Sequence, residues 1–255
     1  MILTLDKPPG WTPLEAMEAY RAAHPTLAGE AMVYAGRLDP MAEGVLLVLT
    51  GADRFALPEH LAHDKEYIAT ILFGVESDTH DALGHLRWSD APTPVSALCA
   101  DAVAGLTGAH TLPLPAWSAY RVRGRPLHAW AKENRLHEID IPKREMRVLG
   151  VSDVTVQSVR PATLFDDAVA RITRVRGDFR QAEALEDWRQ LSAANPPFAL
   201  VTATITVTSG TYLRALAHAL GTHLGTGALL FALRRTRVGP YTNDGYQQEY
   251  SSVML

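Results

Sequence analysis

Asp39 is the residue whose setting most suggests chemistry. It stands between Arg37-Leu38 and Pro40, and a few residues on Gly44 opens an apolar run from Val45 to Leu49. That run is short, rich in Val and Leu and closed by Thr50-Gly51, which predicts a buried strand. Pro40 forces Asp39 out of helical geometry into a turn or extended conformation. The sequence therefore predicts a carboxylate on a loop made rigid by the strand that follows, a fit place for a general base or nucleophile. An Asp-Pro pair alone is ordinary turn chemistry.

The elements that must hold this loop are legible in part. Thr12-Pro13-Leu14-Glu15 has a cap, a proline at the first helical position and the acid of a capping box, predicting a helix to about Ala23. Residues 66–73 alternate, with Tyr67, Ala69, Ile71 and Phe73 on one face of a strand. Thr93-Pro94 starts a helix that ends near Gly105 and carries the lone cysteine, Cys99; LPLPA at 112–116 predicts an extended connector. A short helix is expected around Leu127 to Asn134 in an otherwise aperiodic, basic stretch. Strands are expected over 147–157 and 201–208, with Val201, Ala203, Ile205 and Val207 facing a core. Helices are expected over 181–193 and from Leu213 to a stop at Gly221.

Composition narrows the class. The 255 residues are 47% hydrophobic and 20% charged, typical of a globular chain, and no apolar run is long enough for a bilayer span. No signal-peptide order is present, since Asp6 and Lys7 arrive early. A single cysteine rules out an internal disulfide and suits a reducing, cytoplasmic setting. The net charge of −4 is unevenly spread. Residues 1–116 hold 6 Lys+Arg against 15 Asp+Glu, residues 117–147 hold 8 against 4, and residues 207–240 hold four arginines and no acid. Local basic patches, rather than the total, would meet a phosphate backbone; the plainer reading is a solvated surface.

Five blocks follow in order: LDKPPG at 5–10, YAGRLDPMAEG at 34–44, KEYIATILFGVESDTHDALG at 65–84, SGTYLR at 209–214 and LRRTRVGPY at 233–241. Together they resemble the TruB family of tRNA pseudouridine synthases, whose motifs run DKPxG, G-x-LDP-x-A-x-G, K-x-Y followed by TDTxDxxG, and GTYIR. Each block alone is weak; the ordered set spans nearly the whole chain. The resemblance implies an α+β fold with a large mixed, mainly antiparallel sheet flanked by helices and loops, and an RNA-binding cleft across it. One catalytic domain is expected over 1–241, with 118–147 as a basic, mobile RNA clamp and 161–197 as an insertion. The tail at 242–255 is too short for the PUA domain that commonly follows.

The implied activity is isomerisation of the T-loop uridine of tRNA (uridine-55) to pseudouridine, with no metal and no cofactor. By resemblance Asp39 is the catalytic carboxylate, Arg214 its cationic partner, and Tyr67 the ring against the target base. Tyr212 is implied to line the same pocket, with plain packing as the alternative. Lys7 either supports the active-site loop or touches phosphate. Leu233 fits an apolar wall followed by phosphate contacts from Arg234 and Arg235. The segment 117–147, with Trp117, Tyr120 and Trp130 among Arg121, Arg123 and Arg125, suits a clamp on the T-arm. A monomer is the family default, and no membrane partner is implied.

Two positions depart from the family pattern. Tyr34 stands where the family has a histidine that helps wedge open the RNA loop. Arg37 stands where a small residue is common, and either pairs with Asp39, touches phosphate or points away. Other classes lack their signatures. His60 and His63 have no Cys pair or HExxH beside them, Ser118 and Ser209 lack G-x-S-x-G, and no P-loop or dinucleotide fingerprint occurs. A non-catalytic RNA-binding protein or tRNA chaperone of the same fold, and a synthase aimed at another RNA stem-loop, remain the alternatives.

Overall fold

The computed structural model describes residues 1–88, 96–194 and 197–243. Its first half contains strands β1 (Ile2–Lys7), β2 (Met32–Ala35), β3 (Glu43–Thr50), β4 (Lys65–Phe73), β5 (Val75–Ser77), β6 (Leu86–Trp88) and β7 (Gly108–Pro113), with helices α1 (Pro13–Ala23), α2 (Leu57–Ala62) and α3 (Ser96–Ala104). The second half adds β8 (Arg121–Val122), β9 (Arg125–Pro126), α4 (Leu127–Lys132), β10 (Lys143–Val159), α5 (Pro161–Ile172) and α6 (Gln181–Leu191). The chain then continues through β11 (Phe198–Val207), α7 (Leu213–Leu224), β12 (Ala228–Val238) and β13 (Tyr241–Thr242). The expected helix start at Thr93-Pro94 and the tail beyond 243 lie outside the described residues.

Nine strands form one sheet in the order β1-β3-β12-β4-β11-β10-β7, with β2 beside β3 and β13 beside β12. The β3–β12 pair is parallel (Arg234 opposite Glu43, Arg235 opposite Gly44), and the other pairs of this sheet are antiparallel. This is the mixed, mainly antiparallel α+β sheet that the family resemblance implies. Gly44 is required at that parallel contact: its φ is +99°, and a Cβ there would lie 2.2 Å from the Arg235 carbonyl oxygen.

The alternation in β4 and β11 assigns the two faces. Tyr67, Ala69, Ile71 and Phe73 join Val201, Ala203, Ile205 and Val207 in a core covered by α3 and α7. Leu72, on the opposite face, joins Leu229 and Phe231 under α5 and α6, around Trp188. Trp188 is fully buried and donates from its indole to the Ala82 carbonyl at 2.9 Å, so the polar edge of the ring is satisfied. Cys99 lies on the buried face of α3, where desolvation pushes its thiol up to about 11.

Helix α1 begins as read: Glu15 N–H donates to Thr12 Oγ1 at 3.2 Å, and Thr12 N–H donates to Glu15 Oε2 at 2.7 Å. Other expectations need correction. Helix α7 runs through Gly221 and stops at Gly225, which takes the left-handed conformation at φ +69°. Gly221 instead permits close packing, since a Cβ there would sit 2.0 Å from the Ala228 nitrogen. The LPLPA connector begins as the end of β7, an edge strand where Pro113 costs no ladder bond toward solvent. Residues 118–147, expected as a loop with one short helix, also hold the β8–β9 hairpin. They share a small core of Leu114, Leu127, Trp130, Ile139 and Met146 against Ala215.

Candidate active site

Asp39 sits in the loop from β2 to β3. Leu38 and Ala42 on either side are buried in the same core as Tyr67 and Leu213, so the loop is pinned at both ends. Behind it, the Pro40 carbonyl accepts from Gly10 N–H at 2.8 Å and from Lys7 Nζ at 3.4 Å. The Asp39 side chain keeps 37% of its surface, whereas its partner Arg214 keeps 5%. Arg214 Nε donates to Asp39 Oδ2 at 2.8 Å and one terminal nitrogen donates to Oδ1 at 3.2 Å, a fork-to-fork pairing.

The rest of the guanidinium is held by backbone. It donates to the Thr79 carbonyl at 2.8 Å and, with both terminal nitrogens, to the Trp117 carbonyl at 3.4 Å. A second carboxylate, Asp81, lies 3.7 Å from Arg214 Nε. Its Oδ1 accepts from the Thr79 hydroxyl at 2.6 Å and from Leu83 N–H at 3.0 Å, which locks the turn. Burial drives the Asp81 pKa upward, and Arg214 opposes that drift. For Arg214 burial disfavours the charge, but Asp39 and Asp81 together outweigh it and raise its pKa. The result is a cation that cannot titrate, aiming a half-exposed carboxylate outward.

Tyr67 lies in β4 opposite Ile205 and Arg235, buried on the Leu38–Leu213 side, with Leu233 packed against the same cluster. Tyr212 caps the N-terminal end of α7, and burial followed by the charge of Asp39 raises its phenol pKa. Asp39, Arg214, Tyr67, Tyr212 and Leu233 are therefore brought together around one loop.

Other sequence-predicted site residues are placed elsewhere. Lys7 is fully buried and donates to the carbonyls of Trp11 (2.6 Å), Pro8 (3.0 Å) and Pro40 (3.4 Å), so it braces the Asp39 loop and cannot reach a phosphate. Desolvation pulls its pKa down to about 8. Arg235 is equally sealed, donating to the carbonyls of Val45, Gly36 and Arg37, which corrects its reading as a phosphate contact. Arg234 is half-exposed and pairs with Asp6 at 3.1 Å and Glu43 at 3.5 Å. Tyr34 packs against the N-terminal core of Leu3, Trp11, Met17 and Val48. Arg37 is exposed and forms no ion pair with Asp39.

In the basic segment, Arg121 bonds the Gly124 carbonyl at 2.7 Å, Arg125 pairs with Glu133, and Arg123 is exposed at φ +51°. The rings also divide. Trp130 is buried between Arg125 and Arg135, Trp117 is covered by Arg180 at 3.9 Å, and Tyr120 alone of the three is exposed. Among the described residues no group of three or more His, Cys, Asp or Glu could hold a metal ion, and no helix is long and apolar enough to cross a membrane.

Sequence reading missed the two carbonyls that seat Arg214, because backbone acceptors leave no letter in the sequence. It also missed the His80–His218 stack, with ring centroids 4.0 Å apart. Burial there, reinforced by His218 and Arg214, pulls the His80 pKa down to about 3. The signal available was His218 lying one helical turn after Arg214.

The family model described as the N-terminal domain of TruB family pseudouridylate synthases matches residues 26–169. The chain belongs to this family. Among curated relatives, tRNA pseudouridine synthase B of Thermobifida fusca is 34% identical, the match covering 94% of this chain and 70% of that protein. The enzyme of the same name from Streptomyces coelicolor is 36% identical, covering 96% of this chain and 69% of that protein. Two solved structures share the fold. One is a Cbf5-Nop10-Gar1 complex, at TM-score 0.57 and 22% identity, matching 95% of this chain. The other is an H/ACA RNP bound to a substrate RNA containing 2′-deoxyuridine, at TM-score 0.53 and 20% identity. This chain spans about half the length of the chains it matches in those structures.

Proposed function

We propose that this chain is a tRNA pseudouridine synthase that isomerises the T-loop uridine, uridine-55, in the T-arm of tRNA. The observation that carries the reading is the pairing of a half-exposed Asp39 with a buried Arg214 that holds both carboxylate oxygens. The reaction breaks the N1–C1′ bond, turns the base and joins C5 to C1′; the C5 hydrogen leaves to solvent as a proton and N1 takes up a proton in its place. It consumes no reductant and transfers no group to a second molecule. A carboxylate acting as nucleophile or base beside C1′, C2′ or C6 is the essential group. Both Asp39 oxygens keep a lone pair beyond those Arg214 occupies, and the exposed side of the carboxylate faces away from the core.

The base must leave its stack to reach Asp39. Tyr67 offers a ring to receive it, and Tyr212 and Leu233 wall the same space. Arg37, Arg121, Arg123 and Arg234 are among the arginines with surface left for phosphates, while Lys7 supports the loop. Pseudouridine mapping on unmodified tRNA transcript, with Asp39→Asn in parallel, tests the reading. A single new pseudouridine in the T-loop, absent with the variant, is the expected result. Modification at another stem-loop would change the RNA but keep the chemistry. Tight binding without any modification would replace the enzyme reading with an RNA chaperone.

A further inference from the structure

The centre around Arg214 is braced by a turn that the isomerisation itself does not use. Residues 173–180 join α5 to α6 and fold back toward the catalytic loops. At one end Arg176 N–H donates to the Gly10 carbonyl at 3.0 Å, and its guanidinium lies 4.1 Å over the Trp11 ring. At the other end Arg180 takes a left-handed conformation, φ +61°, that a residue with a Cβ adopts only at a cost. From there it donates to both carboxylate oxygens of Asp78, at 2.9 and 3.2 Å, and covers the Trp117 ring at 3.9 Å. Asp78 in turn accepts from His85 N–H at 2.8 Å, closing its own turn.

These two partners of Arg180 lead to the two backbone acceptors of Arg214. Trp117 provides one carbonyl itself, and Thr79, the residue after Asp78, provides the other. One guanidinium therefore clamps, from outside, the two strands of chain that seat the other guanidinium inside. We propose that Arg180 is a positioning residue for the reaction, fixing the Thr79 and Trp117 carbonyls and through them the angle at which Arg214 presents Asp39. Displacement of a reacting group by about 1 Å can cost up to about a hundredfold in rate, so a brace at this distance has kinetic consequences. Its effect on turnover rests on the synthase reading above; its effect on Arg214 does not.

The test uses the full chain with Arg180→Ala, Arg180→Lys and, as a control on the adjoining helix α6, Arg189→Ala, which removes an exposed pair with Glu186. Three quantities are read: the single-turnover rate at saturating enzyme, the Kd for tRNA, and the solvent exchange of the Arg214 Nε–H in the 15N spectrum. We expect Arg180→Ala to lower the rate about tenfold or more, leave Kd within about twofold, and speed the Arg214 exchange. Arg180→Lys, which keeps the charge opposite Asp78 but not the planar stack, recovers part of the rate, and Arg189→Ala behaves as wild type.

A rate within about twofold of wild type for Arg180→Ala overturns the proposal, as does a loss confined to Kd. An equal fall in Arg189→Ala, tracking a lower Tm, also overturns it. If Arg180→Ala does not fold, wild-type rate and exchange in Arg180→Lys overturn it. If the wild-type protein modifies no RNA, the synthase reading fails separately, and unchanged Arg214 exchange in Arg180→Ala still overturns this one.

Discussion

The cations around Asp39 and those of the 121–147 segment are built in opposite ways. Lys7, Arg214 and Arg235 are buried, and almost every donor they carry ends on a named carbonyl or on Asp39. Arg121, Arg123 and Arg135 are exposed or half-exposed and tied only to their own short segment, by the Gly124 carbonyl or by Glu133 and Glu138. The first set pays desolvation in return for fixed geometry, the property a catalytic carboxylate needs. The second set keeps its hydration and mobility of charge, the property that suits a phosphate backbone. Counting basic residues along the sequence cannot separate the two sets.

Breaking the buried set should have the larger effects. Asp39→Asn is expected to lower turnover by about 10³-fold or more while tRNA affinity stays within a few-fold, measured by single-turnover kinetics and filter binding. Arg214→Lys keeps a charge but loses the fork and the contacts to Thr79 and Trp117. A fall in rate of about 10²-fold is expected, with little change in Kd.

Lys7→Met sharpens the comparison on the stability axis. It leaves the Trp11 carbonyl without its 2.6 Å donor, which should cost about 1–3 kcal/mol in urea unfolding at neutral pH. The cost carries a pH signature. The Lys7 pKa is about 8 in the fold against an ordinary 10.5. Between those values the unfolded chain binds more protons, so the wild-type contribution from Lys7 rises with pH across that window. Lys65, also at about 8, adds a slope of the same sign. The wild-type slope should therefore exceed that of Lys7→Met between pH 8 and 10; equal slopes would show that Lys7 is not desolvated.

The smallest effect belongs to the exposed set. Arg123→Glu should weaken tRNA binding several-fold and lower the salt slope by about one counterion, with the saturated rate unchanged. A changed saturated rate would place Arg123 in the centre and dissolve the contrast.

Much of the fold was legible because local chemistry announced it. The capping box at Thr12 and Glu15, and the alternation in β4 and β11, each fix a face without reference to the rest of the chain. β12 was not legible: its Arg234-Arg235-Thr236-Arg237 run looks like surface, yet it lies in the middle of the sheet because Arg235 finds three carbonyls there. The helix at 161–172 was missed as well, although its Leu164, Ala168 and Ile172 sit at helical spacing under the sheet. For the site, the motifs named Asp39, Tyr67 and Arg214. What holds Arg214 is the carbonyls of Thr79 and Trp117, and these meet it through chain crossings that spacing does not encode.

In the proposed reaction Asp39, held by Arg214, performs the isomerisation. Its most direct test is release of tritium from tRNA transcript labelled at C5 of uridine, under single turnover with wild-type protein and with Asp39→Asn. Wild-type protein should release one tritium per tRNA, and the variant none above background. Release at the wild-type rate from Asp39→Asn would contradict it.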